Sequence, residues 1–241
     1  MTPGIIYVVA LPIGNPEDIT LRALRVLRSV DFVVAETRTV TVAQLARYGI
    51  LTSVRSYNEC KSPGALAALL ADLKSGQTAA LVCDAGTPLI ADPGSGLVHA
   101  AIAASVAVAA VPGASAALAA LMCSGASVGR FAFEGFPPRD ATDRLAYFAT
   151  LVAETRTLVL YEGRRFLLDT LRRLAVTLGD QRCVLIAQDL TTSTENLFSG
   201  TLSRAIQVYR RPCRGEYAIV IPRCADQGER SGATASGIRS G

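Results

Sequence analysis

Three loops of this sequence have the composition and placement to do chemistry: LPIGNPEDIT (residues 11–20), DAGTPLIADPG (residues 84–94) and VPGASAA (residues 111–117). Each follows an apolar run that reads as a strand, and each is built from Gly, Pro and small side chains. Glycine lets the main chain come close to a ligand, and proline fixes its path. In an open α/β sheet, ligands bind outside the carboxyl ends of the strands, so three such loops in matching positions would line one small-molecule pocket. No G-x-x-x-x-G-K-S/T run is present, and no G-x-G-x-x-G follows a strand, so the common phosphate-cradling routes are excluded. From the residues alone the ligand stays open, and Asp84 reads equally as a turn residue that bonds its own backbone.

Other site chemistries find little to work with. The six cysteines (Cys60, Cys83, Cys123, Cys183, Cys213 and Cys224) are scattered without a C-x-x-C pair, the usage of reduced and partly buried thiols rather than of disulfides or a zinc site. The single histidine, His99, lies in an Ala-rich helical pattern and reads as a core or groove residue, with no nucleophile elbow to accompany it.

The elements that would position the loops alternate in the manner of an α/β protein. Strands are predicted over residues 5–10, 31–35, 78–83 and 106–111. Helices are predicted over 19–29, with Leu21, Leu24 and Leu27 inward, and over 41–48 and 64–75, with further helices after the second and third loops. These four steps make a first domain, residues 1–121, with a mostly parallel sheet. After SGASVG the pattern changes: strand candidates at 131–133, 157–161, 182–188 and 216–221, with helices over 142–152 and 165–178, give a second domain, 122–224, with a mixed sheet. Residues 225–241 are rich in Ser, Gly and charge and are expected to be disordered.

Half of the 241 residues are hydrophobic, but the most apolar stretch is mainly Ala and is cut by Pro112-Gly113, so no membrane span is expected. The N-terminus lacks a basic segment ahead of its first strand, and a cytoplasmic protein is expected. The formal net charge is +4. Residues 1–121 carry eight basic and eight acidic side chains against thirteen and ten in residues 122–222, where the excess is Arg. That gives weak support to phosphate contacts.

The strings VVALPIGNPEDITLRALRVL, LVCDAGTPLIADPG, VPGASAALAAL, FAFEGFPP, LVLYE and RGEYAIVI occur in the order found in the tetrapyrrole-methylase-like superfamily. Together, over residues 5–221, they most resemble its ribosomal RNA branch, the small-subunit ribosomal RNA methyltransferase I family, which methylates a cytidine 2′-hydroxyl. The porphyrin and corrin methylases usually carry a more glycine-rich, acidic first loop where this chain has PIGN. The resemblance implies a two-domain tetrapyrrole-methylase-like fold, a homodimer, ribosomal RNA as partner, and S-adenosylmethionine held in a cleft between the domains. By position, Pro12, Ile13 and Gly14 would line the floor of that site. Asp84, Ala85, Gly86 and Thr87 would meet the amino-acid or sulfonium part of the cofactor, and Pro112, Gly113 and Ser115 would border it.

A sugar hydroxyl is a poor nucleophile, so methyl transfer to it calls for a base or a stabiliser of developing charge. Glu36, Glu134 and Glu162 are the candidates, each also readable as a surface or capping carboxylate. The chain departs from the RNA branch at AETRTVT (residues 35–41), where that branch usually has A-E-D-T-R-H-T. It departs again at YEGRRF (161–166), for Y-E-S-P-H-R, and at QDLTT (188–192), for R-E-L-T-K. Two other functions are consistent with the sequence: a porphyrinoid methyltransferase, and a non-catalytic S-adenosylmethionine-binding factor of ribosome assembly.

Overall fold

The computed structural model describes residues 4–57, 63–211 and 214–223. Cys60, Cys213, Cys224 and the C-terminal segment 225–241 expected to be disordered lie outside these residues. Contacts divide the chain into two compact units, Met1–Ser115 and Ala116–Gly241.

The first unit runs β1 (Ile5–Val9), α1 (Leu21–Ser29), β2 (Phe32–Ala35), α2 (Arg38–Arg47), β3 (Ser53–Ser56), α3 (Pro63–Lys74), β4 (Ala79–Val82), α4 (Ser95–Ala103) and β5 (Ala107–Val111). Its five strands pair in the order β3-β2-β4-β1-β5, and every pairing is parallel. The inner strands β2 and β4 are continuous apolar runs buried at every position because both faces are covered, whereas the edge strand β5 is an apolar run left largely exposed, and the pleat sends alternate residues to opposite sides. Val9, Val33, Ala35, Ala80 and Val82 pack with Ala23, Val26, Leu27 and Leu45 of α1 and α2. Ile6, Phe32, Val34, Ala79 and Leu81 pack with Leu69, Leu73, Leu97 and Ala101 of α3 and α4.

Two sequence expectations change here. The buried stripe of α1 is Ala23, Val26 and Leu27, while Leu21 is 86% exposed. A strict three-residue spacing drifts about 60° per step on a helix of 3.6 residues per turn, so Leu21 leaves the stripe. His99 is exposed on α4 rather than lying in a core or groove. In addition, β3 has a single apolar residue, Val54, and carried no periodicity strong enough to predict it.

The second unit runs α5 (Ala116–Ser124), β6 (Phe131–Gly135), α6 (Ala141–Thr150), β7 (Thr157–Gly163), α7 (Arg164–Leu178), β8 (Cys183–Gln188), β9 (Asn196–Thr201), α8 (Leu202–Val208) and β10 (Glu216–Ile221). Its sheet order is β6-β7-β10-β8-β9, with β6 parallel to β7 and the remaining pairings antiparallel, which is the expected mixed sheet. One face, carrying Leu158, Leu160, Ile186, Ile219 and Ile221, buries Phe148, Leu167, Leu171, Leu174, Leu202 and Ala205 of α6, α7 and α8. α5 packs against β10, β7 and β8, so the contacts place the division of the chain before this helix, where the sequence pattern suggested residue 121. β9 and α8 were not expected. β9 is an edge strand with every residue at least partly exposed, so it lacks the inward-outward alternation that marks a half-buried strand.

Candidate functional site

In the first unit β1 and β2 send their chains to one face of the sheet through α1 and α2, whereas β4, which lies between them, sends its chain to the other face through α4. The loops after these strands therefore part above the sheet, the arrangement in which α/β folds bind ligands. The main chain joins them. Leu11 N donates to Gly86 O at 2.8 Å and Gly86 N donates to Pro12 O at 3.3 Å, tying the PIGN loop to the DAGTP loop. Thr87 Oγ1 donates to Ala114 O at 2.9 Å, and Ala10 N donates to Val111 O at 3.1 Å, bringing in the loop after β5. Pro12, Ile13, Gly14, Asp84, Ala85, Gly86, Thr87, Pro112, Gly113 and Ser115 thus gather at one end of one sheet.

Two glycines are required by geometry. Gly86 has φ +73°, which costs side-chain-bearing residues roughly 1–2 kcal/mol, and a Cβ there would stand 3.0 Å from Ile13 Cγ2. A Cβ at Gly113 would stand 3.0 Å from Ala10 Cβ.

Asp84 does not bond its own backbone. Its Oδ1 accepts from Thr37 N at 3.1 Å, and its main-chain oxygen accepts from Gln44 Nε2 at 2.8 Å, so the DAGTP loop is also fastened to α2. α2 begins at Arg38, one turn ahead of the sequence expectation, which puts Glu36 directly before the capping residue Thr37. Ala35 pairs with Val82, so Glu36 stands opposite Cys83 at the strand ends, partly exposed. Burial pushes the Cys83 thiol far above its ordinary value, with Asp92 adding to the effect; its Sγ donates to Ala85 O at 3.0 Å. Cys83 is therefore an inert support for the loop. Asp92 is itself raised, first by burial and further by Asp84.

A cavity of about 120 Å³ is lined by Leu11, Pro12, Ile13, Gly14, Gln44 and Tyr48, among others. Gln44 was not anticipated from the sequence. Its donor is used on Asp84 O, and its Oε1 is buried without a hydrogen-bond partner, as is Thr41 Oγ1 one turn earlier. A buried unpaired acceptor costs about 1–3 kcal/mol, and both residues lie on the inward stripe Thr41, Gln44, Leu45 of α2. Polar residues on that stripe were the readable signal.

Glu134 and Glu162 belong to the second unit. Glu134 sits where the β6–β7 register shifts, between Phe133 and Gly135, and Gly135 has φ +63°. Such a bulge re-aims a side chain, and Glu134 is half-buried beside Tyr147, whose phenol burial holds above its ordinary value. Glu162 is fully buried. Its Oε1 accepts from Arg139 Nη1 at 2.8 Å, and its Oε2 accepts from Arg144 Nη2 at 3.0 Å and from Thr170 Oγ1 at 2.6 Å. Arg144 also donates to Asp169 Oδ2 at 2.7 Å, to Pro138 O at 3.0 Å and to Thr170 Oγ1. A carboxylate with both oxygens taken by cationic donors is an anchor for those cations, not a base open to a substrate proton.

The sequence profile described as Tetrapyrrole (Corrin/Porphyrin) Methylases matches residues 5–206. The chain is 42% identical to the ribosomal RNA small subunit methyltransferase I of Synechocystis sp. over 90% of its length and 78% of that protein. It is 38% identical to the protein of the same name from Thermotoga maritima, over 90% of this chain and 98% of the relative. The chain belongs to the tetrapyrrole methylase family, in its ribosomal RNA small subunit methyltransferase I branch. Within the tetrapyrrole methylases the fold outlasts the sequence: cobalt precorrin-4 methyltransferase, a cobalamin biosynthetic enzyme, superposes with a TM-score of 0.70 at 15% identity, covering 90% of this chain and 94% of the other. Among the described residues no helix is long and apolar enough to cross a membrane, and no cluster of His, Cys, Asp and Glu could hold a metal ion.

Proposed function

We propose that this protein transfers the methyl group of S-adenosylmethionine to the 2′-hydroxyl of a cytidine in small-subunit ribosomal RNA. The observation that carries the reading is the identity of about 40% with ribosomal RNA small subunit methyltransferase I proteins across nine-tenths of the chain. The loops of the first unit fit the cofactor. Gly86 and Gly113 keep the main chain free of Cβ atoms where strand ends converge. The orphaned Gln44 Oε1 in the cavity wall suits a ligand rich in N–H and O–H donors. Asp84 brings a carboxylate to a loop expected to face a sulfonium cation, an attraction that strengthens where water is excluded.

Pro12, Ile13, Gly14, Asp84, Ala85, Gly86, Thr87, Pro112, Gly113 and Ser115 hold the cofactor in this reading. Bound there, the cofactor would supply an electrophilic methyl group for transfer to the acceptor oxygen. The protein aligns the acceptor and takes its proton. Glu36 is the candidate base best placed for this, since it is partly exposed at the end of β2 next to the DAGTP loop. Glu134, in its bulge, is the second. The protein works in the cytoplasm, where its substrate is assembled, and acts as a homodimer.

Small subunits from a strain lacking the enzyme, incubated with labelled cofactor, should accept one methyl group per particle. A 2′-O-methyl group blocks alkaline cleavage of the adjacent phosphodiester, so the label should emerge in a dinucleotide. Label in a mononucleotide, or transfer to porphyrinogens and not to subunits, would overturn the assignment.

A further inference from the structure

β6 and β7 run parallel, so the segments that follow their carboxyl ends, GFPPRD and GRRF, emerge at the same end of the second sheet. They carry a group of aromatic and cationic side chains that the methyl-transfer reading does not use. Phe136 is 47% exposed and meets Tyr161 edge-on, with ring centres 5.6 Å apart. The Arg139 guanidinium lies 4.5 Å from the centre of the Phe166 ring and 5.6 Å from that of Phe136. It is held by Glu162 at 2.8 Å, while its side chain keeps 47% exposure. Arg165, also exposed, lies 5.3 Å from the Phe166 ring.

The charge balance of this patch is cationic. Glu162 is buried between Arg139 and Arg144, and Asp140 Oδ1 is spent capping α6, accepting from Thr142 N at 2.9 Å and Asp143 N at 3.2 Å. Arg139, Arg164 and Arg165 remain at the surface against two exposed acids, Asp140 and Asp143. An exposed ring beside a guanidinium whose position is already fixed matches the requirements of a single-stranded nucleic acid. The π-face accepts any unstacked base, and the planar donor fork meets a phosphate without first losing rotamer freedom.

We propose that Phe136 and Arg139 form a docking point for a single-stranded stretch of RNA, with Phe136 stacking on a base and Arg139 donating to a backbone phosphate. Glu162 acts here as the positioning residue for Arg139. This inference rests on the ribosomal RNA reading above.

The test uses the full chain and a fluorescent single-stranded RNA of about a dozen nucleotides, with the corresponding duplex as control. Phe136→Ala should weaken single-strand binding roughly 5- to 150-fold, the range reported by removal of one base–aromatic stack, and should leave duplex binding unchanged. Phe136→Trp should bind the single strand within about threefold of the parent. Arg139→Ala should lower the slope of log K against log salt by about one phosphate contact, and Arg139→Lys should restore the slope. S-adenosylmethionine affinity, measured by calorimetry, should be the same in all four variants. Single-strand binding within twofold of the parent for Phe136→Ala and Arg139→Ala, with the salt slope of Arg139→Ala unchanged, in a protein that still methylates small subunits, would overturn this surface and leave the function standing. A parent that binds S-adenosylmethionine but neither binds nor methylates RNA would overturn both.

Discussion

Arg144 Nη2 lies 3.0 Å from Glu162 Oε2 with the two side chains 3% and 0% exposed, the most deeply buried ion pair of the second unit among the described residues. Thr170 Oγ1 donates to the same carboxylate oxygen at 2.6 Å, and Asp169 balances the other edge of the guanidinium at 2.7 Å. Removing one partner of such a pair strands the other charge away from water. Glu162→Ala should therefore cost about 3–5 kcal/mol, read from the urea midpoint. A loss below about 1 kcal/mol would show that Asp169 alone satisfies Arg144.

The same geometry separates Glu162 from catalysis. In Glu162→Gln, kcat per folded molecule should fall less than about tenfold while the KM for RNA rises, because loss of a general base typically costs 10²–10⁴-fold. A kcat loss of a hundredfold with KM unchanged would return Glu162 to the reaction itself.

Glu36→Gln is expected to behave in the opposite way: kcat down by about 10²–10⁴-fold, with S-adenosylmethionine affinity retained. Single-turnover rates within threefold of the parent would exclude Glu36 and leave Glu134 to be tested in the same assay.

For the cofactor loops, Gly86→Val should abolish S-adenosylmethionine binding, since its Cβ meets Ile13 Cγ2 at 3.0 Å in a left-handed backbone. Gly113→Leu should do the same from the β5 side, where the neighbour is Ala10 Cβ. Far-ultraviolet circular dichroism would confirm that the fold persists. Unchanged calorimetric affinity in both variants would remove these loops from the site.

Asp31 gives a pH prediction. Thr78 donates to its Oδ2 from the main chain at 2.7 Å and from the hydroxyl at 2.9 Å, and these bonds hold the carboxyl below its ordinary value of 3.8. A depressed folded-state pKa adds stability above the unfolded value and loses it as pH falls through the folded one. The gain of the parent over Asp31→Ala should thus be full near neutrality and shrink below pH 3.8. Because Asp31 is exposed, solvent screening keeps the effect small. Urea midpoints whose difference is the same at neutral and acid pH would contradict the assignment.

The sequence by itself determined the α/β class, the parallel and mixed sheets, and the three loops that gather at one end of β1, β4 and β5. These are local properties: a continuous apolar run bounded by Gly and Pro reads as a buried strand and its loop without any partner being known. The family motifs added the expectation of a cofactor and an acceptor. The tertiary structure decided what no local pattern encodes. Glu36 and Glu162 look alike in sequence, each a carboxylate at or just beyond the end of an apolar strand, yet one is partly exposed and the other is enclosed by Arg139, Arg144 and Thr170. Edge strands such as β3 and β9 stayed illegible because a strand with an open side needs no full apolar pattern. Gln44 emerged as a wall of the cavity only once α2 was laid against the DAGTP loop. Burial and pairing depend on residues that lie far apart in the chain, so a carboxylate's chemical role is set by neighbours that only folding brings to it.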